Sequence, residues 1–119
     1  MAGFASWMEA ALAEARAAGA RGETPVGAVV VDPVARRVVA AAGNRTRELS
    51  DPTAHAEILA LREACAARGS ERLPGLDLHV TLEPCPMCAA AIGFARIALL
   101  YYGATDPKGG RSEERRVGK

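Results

Sequence analysis

The sequence predicts an α/β fold: a mixed sheet with helices on both faces. Three observations lead there. Apolar residues recur at helical spacing in three separate stretches, β-branched or alternating runs stand between them, and the elements follow in the order helix, hairpin, helix, strand, helix, strand. At 119 residues the chain is long enough for one cored domain and too short for two.

The first helix is expected to start at a capping box formed by Ser6 and Glu9. It would continue through Trp7, Met8, Ala11, Leu12 and Ala15 to a stop at Gly19. Residues 26–31 form a β-branched run that ends at Asp32-Pro33, and residues 37–42 form a second run that ends at Gly43-Asn44. So short a connection predicts an antiparallel hairpin, with the first strand, apolar on both faces, in the more central position. Asp51-Pro52-Thr53 predicts a helix start, with Asp51 or Thr53 as cap, Pro52 in the first turn, and His55 and Glu57 following within it. Ala54, Ile58, Leu61 and Cys65 then share one buried stripe, and the helix ends at Arg68-Gly69. Residues 76–82 alternate as a third strand, Pro86 opens a further helix, and residues 96–102 form a fourth strand.

Half the residues are hydrophobic and the net charge is +1, which places the chain among folded globular proteins. Residues 111–119 carry four basic and two acidic side chains, so the rest of the chain is at about −1 and bulk charge gives no support for a nucleic-acid partner. Any RNA site would have to be a local patch. The domain is expected to span residues 1–110, with 111–119 an arginine-rich tail, disordered or foreign, that has a single apolar side chain and no means of docking. Residues 85–105 are apolar enough to resemble a membrane span, but Pro86, Gly93, Arg96 and Gly103 interrupt them. Residues 1–12 lack a basic leader region and include Glu9, so no secretory signal is expected. Three cysteines are an odd number and too few for a disulfide scaffold, which favours the reducing cytoplasm, with Cys65 a small buried residue.

The chemistry concentrates in His55, Glu57, Cys85 and Cys88. One imidazole and two thiolates provide three soft ligands, and three ligands with one open position are what a catalytic Zn²⁺ requires, whereas a structural zinc is closed by four. Cys85 and Cys88, three apart at a helix start, face the same side of the first turn. A helix N-terminus stabilises thiolates, and the metal stabilises them further. Glu57 is placed to reach a water in the fourth position and to carry its proton. Two rival readings use some of the same residues. Cys85-Pro86-Met87-Cys88 after a strand also suits thiol–disulfide exchange, but this leaves His55 and Glu57 without a role. A closed structural site needs a fourth ligand: Cys65 lies ten helical residues, about 15 Å, from His55, and His79 reads as an ordinary strand residue.

His55-Ala56-Glu57 together with Pro84-Cys85-Pro86-Met87-Cys88 resembles the signature of the zinc-dependent nucleoside and nucleobase deaminases. The stretches 24–29, Gly43-Asn44-Arg45, 51–57 and 80–89 point, within that superfamily, to the bacterial tRNA adenosine deaminases. The resemblance covers roughly residues 4 to 110. It implies a three-layer α/β/α cytidine-deaminase-like fold, a homodimer, and hydrolysis of the wobble adenosine in a tRNA anticodon loop to inosine by a zinc-bound hydroxide. Carried over by motif, His55, Cys85 and Cys88 hold one Zn²⁺ and Glu57 shuttles protons. Asn44 hydrogen-bonds the flipped base, while the Ala56 backbone and the apolar wall at Val26 complete its pocket. Arg45 and Arg47 are candidate phosphate contacts. Guanine and cytosine deaminases share the zinc core, so a free base or nucleoside is the alternative substrate. Family members continue past residue 110 through a further strand and helices, where this sequence has its arginine-rich stretch, and an inactive fragment is the remaining alternative.

Overall fold

A computed structural model of the chain describes residues 4–103. It contains α1 (Phe4–Ala20), β1 (Gly27–Asp32), β2 (Arg37–Gly43), α2 (Thr46–Leu49), α3 (Ala56–Arg68), β3 (Asp77–Val80), α4 (Pro86–Phe94) and β4 (Leu99–Tyr102). The strands form one mixed sheet in the order β2-β1-β3-β4, with β1 antiparallel to both neighbours and β3 parallel to β4. The predicted hairpin and the inner position of β1 are both present. The tail at 111–119 lies outside the described residues.

Alternation along β1 assigns the two faces. Ala28 and Val30 join Ala60, Leu61, Leu78, Ile92 and Leu100 in the main core beneath α3 and α4. Val29 and Val31 point the other way, onto Ala11 of α1. All five residues from Gly27 to Val31 are buried, and each valine contributes about 1.5–3 kcal/mol by leaving water. Gly27 allows α1 to lie against the strand: a Cβ there would sit 2.1 Å from the Ala11 carbonyl oxygen and 2.5 Å from the Ala15 nitrogen.

Several boundaries differ from expectation. Helix α1 begins at Phe4, so Ser6 falls inside it rather than capping it, and it runs past Gly19 to Ala20, with the turn made at Gly22 (φ +88°). Helix α3 starts at Ala56 with His55 as its N-cap, four residues later than the cap at Asp51 would place it. The Asp51 carboxylate instead accepts the Thr53 N–H (2.9 Å) and hydroxyl (2.7 Å), and the Ala54 N–H bonds the Asp51 carbonyl, so a tight turn replaces the expected helical turn. Asp51 also precedes Pro52, which disfavours helical backbone there. The buried stripe of α3 also differs from expectation: Ala56, Glu57, Ala60, Leu61 and Ala64 are buried, while Ile58 and Cys65 are only half-buried. The end of α3 at Arg68-Gly69 is as predicted, with Gly69 in the left-handed conformation. The one-turn helix α2 has no counterpart in the apolar pattern. Among the described residues no helix is long and apolar enough to cross a membrane.

Candidate active site

Two helix starts meet. His55 caps α3 and Cys85 caps α4, both with extended backbone and neither with a side-chain capping bond, and Pro86 occupies the first turn of α4. His55 Nδ1 lies 3.7 Å from Cys85 Sγ and 3.5 Å from Cys88 Sγ, and the three ligand atoms all lie within 4.8 Å of one another. A tetrahedral zinc with bonds of about 2.3 Å to sulfur and 2.0 Å to nitrogen separates those atoms by about 3.5 Å. The residues therefore fit zinc in donor type and in spacing. His79 is elsewhere: it pairs with Val29 on the α1 face and stacks on Tyr101 at 4.6 Å, with the sheet between it and the cysteines. It cannot close the site as a fourth ligand.

Glu57, one position into α3 from Ala56, is 4% exposed. Burial pushes its carboxyl above the ordinary range, opposed by its own backbone N–H, by His55 and by a hydrogen bond from the Cys88 thiol. Burial raises the Cys88 thiol as well, and the neighbouring Glu57 carboxylate and Cys85 add to the effect. A cluster that resists holding this much negative charge favours a cation, which reverses that balance.

His55, Glu57 and Cys85 line a cleft of about 460 Å³ together with Val26 and Asn44. Of the predicted pocket residues, Ala56 is fully buried and is not in the lining. Asn44 is 6% exposed, and its Nδ2 faces Thr46 Oγ1 at 3.4 Å. The Arg45 guanidinium pairs with Glu48, and Arg47 donates to the Gly22 carbonyl at 3.2 Å, so both candidate phosphate contacts already hold intramolecular partners. Thr24, Thr46, Leu82 and Glu83 also line the cleft without having been singled out in the sequence. Thr24 and Glu83 each lie in a motif stretch, beside Val26 and Cys85, and that adjacency is the signal available for them.

Residues 4–104 match the family model described as the cytidine and deoxycytidylate deaminase zinc-binding region. The chain is 67% identical over 107 residues to a tRNA-specific adenosine deaminase of Agrobacterium fabrum, covering 90% of this chain and 69% of the relative. A solved structure from work on A-to-I editing by tRNA:A34 deaminases at the wobble position superposes with a TM-score of 0.83 at 67% identity, covering 89% of this chain and 75% of that one. A guanine deaminase of Bacillus subtilis superposes equally well, with a TM-score of 0.84, but at 32% identity, over 92% and 71% of the two chains. The shared fold therefore does not separate the substrates, whereas the sequence identity leans to the tRNA enzymes. With its zinc-ligand geometry, its mixed sheet and a family match over nearly all the described residues, the chain belongs to the cytidine and deoxycytidylate deaminase zinc-binding family.

Proposed function

We propose that the chain hydrolyses the wobble adenosine of a tRNA anticodon loop to inosine, releasing ammonia. The observation that carries this reading is the cluster of His55, Cys85 and the buried Cys88 at the wall of a cleft that His55, Cys85 and Glu57 line together with Asn44 and Val26. The identity to a tRNA-specific adenosine deaminase supports adenosine in tRNA over a free base.

His55 Nδ1 and the sulfurs of Cys85 and Cys88 would hold the zinc. Bound there, it supplies a water activated for attack at neutral pH. The Glu57 carboxylate would take one proton of the attacking water and pass it to the ring nitrogen beside the reacting carbon, then take the remaining proton of the added hydroxyl and deliver it to the amine, which departs as ammonia. Burial keeps bulk water from competing for those protons. Asn44 hydrogen-bonds the edge of the base after it leaves the stack, and Val26 packs on its face. Ala56, the first residue of α3, is fully buried outside the cleft lining, so its backbone would meet the base only through the helix start beside His55. Arg45, whose pair with Glu48 is solvent-exposed, can exchange that partner for a phosphate at little cost, and Arg47 stands beside it. The thiolate ligands suit a reducing cytoplasm. A homodimer would have Phe94 of α4, 75% exposed, available as apolar contact surface.

The test offers the zinc-loaded protein an anticodon stem-loop, free guanine, cytosine and cytidine, and follows inosine and ammonia. Inosine from the stem-loop alone is expected. Guanine turnover without stem-loop turnover would replace tRNA by a free purine as the substrate.

A further inference from the structure

Glu23 belongs to no motif and lies outside the metal cluster, yet it is a buried carboxylate, 7% exposed, with both oxygens engaged. Its Oε1 accepts the Arg47 N–H at 3.1 Å and its Oε2 accepts the Glu48 N–H at 2.8 Å. Those two amides are in the first turn of α2, whose cap residue, Arg45, makes no side-chain capping bond. Glu23 therefore caps this helix from more than twenty residues upstream, where Ser, Thr, Asp or Asn would normally do so from within the sequence.

The same two segments are tied at further points. Arg21 Nη2 donates to the Asn44 carbonyl at 3.1 Å, and Arg47 Nη1 donates back to the Gly22 carbonyl at 3.2 Å. The Asn44 N–H bonds the Val26 carbonyl at 3.1 Å, and the Arg45 N–H bonds the Ala54 carbonyl, one residue before His55, at 3.0 Å. The backbone around Asn44 is thus fixed to the residue before β1, to the turn before α3, and to the 21–23 segment. A four-residue helix with no buried residues cannot hold itself in place by packing. Its register depends on these polar ties, of which the Glu23 carboxylate makes two.

We propose that Glu23 is a positioning residue for Asn44: by clamping the start of α2 it sets where the Asn44 amide stands in the cleft. The proposal rests on the reading that Asn44 contacts the base. Glu23 itself touches neither base nor metal, so its loss should act through Asn44 and leave the zinc cluster intact.

The test is a double-mutant cycle of Glu23→Ala and Asn44→Ala in the zinc-loaded protein, with amide hydrogen exchange on the same samples. Exchange at the Arg47 and Glu48 amides should accelerate about tenfold or more in Glu23→Ala, with zinc stoichiometry unchanged. In the wild-type background Glu23→Ala should lower kcat/KM about 10- to 30-fold, mostly through KM, only part of the worth of two charge-assisted hydrogen bonds because the loss reaches the base through Asn44. In the Asn44→Ala background the same change should cost less than about threefold. Glu23→Gln, which keeps the volume and one acceptor, should fall between wild type and Glu23→Ala, and it carries the same cycle if the alanine variant does not fold. Full additivity of the two changes, or unaltered exchange at Arg47 and Glu48, would overturn the proposal. The cycle runs on the stem-loop or on whichever free base the wild-type chain turns over, so a failed stem-loop assay overturns the substrate reading while the Glu23 test still returns an answer.

Discussion

Replacing Glu57 by Gln gives opposite expectations for activity and for stability. Gln preserves the volume of a side chain that is 4% exposed, and it can still accept the hydrogen bond from Cys88. What it loses is the ability to take up and return a proton. General acid–base groups contribute about 10²- to 10⁴-fold, and because one carboxylate serves both successive transfers here, the loss in kcat should lie near the upper end, about 10³-fold or more. KM should change little, since the proposed contacts of Asn44 and Val26 to the base are kept. Burial raises the pKa of the folded Glu57 carboxyl. The folded state then binds its proton more tightly than the unfolded state, so the wild type loses stability as pH rises above the unfolded value, about 4.5. Gln avoids that cost. Metal-free Glu57→Gln should therefore melt at or above wild type at neutral pH, while the zinc-loaded variant is nearly inactive at full zinc stoichiometry. Calorimetry, metal analysis and single-turnover kinetics read the three quantities. Retention of more than about a tenth of wild-type kcat would remove Glu57 from proton transfer, and a variant that melts lower would show the carboxylate to be structural.

Three further outcomes follow from the geometry. Cys88→Ala removes one of three ligands from a site already short of four, and zinc should fall well below stoichiometry in metal analysis; a fully loaded variant would refute the ligand set. Gly27→Ala forces a methyl group to within 2.1 Å of the Ala11 carbonyl oxygen, so α1 must lift from the sheet, at about 3 kcal/mol or more, read as a drop in melting temperature of roughly 10–20 °C. His79, 2% exposed, is held by burial to a pKa of about 4 against an ordinary 6.5. The folded state resists protonation, so stability present above pH 6.5 should be lost as pH falls from there toward 4, by about 2 kcal/mol after allowance for solvent screening; His79→Asn should flatten that part of the profile in denaturant titrations.

The chemistry was legible in the sequence because it resides in residue type and short spacing. His55, Glu57, Cys85 and Cys88 are chosen by ligand softness and by three-residue helical geometry, and both survive into the structure, with ligand contacts of 3.5 and 3.7 Å. The hairpin and the stop at Gly69 were legible for the same reason: hydrophobic period and left-handed backbone are local properties. Where the reading slipped, Ser6 and Gly19 lie inside α1 rather than at its ends, and Asp51 lies in a turn rather than at the start of α3. At Asp51 the reason is explicit, since its carboxylate is consumed by Thr53.

The sequence by itself determined the candidate donor set, the carboxylate proposed to carry protons, the sheet-forming runs and the family to which they belong, because each is written in neighbouring residues. Only the tertiary structure decided that the two helix starts meet, that His79 is separated from them by the sheet, and that Glu23 closes the turn beside Asn44. Those facts join residues more than twenty positions apart, and no local propensity records which distant backbone amide a carboxylate will find once the chain has folded.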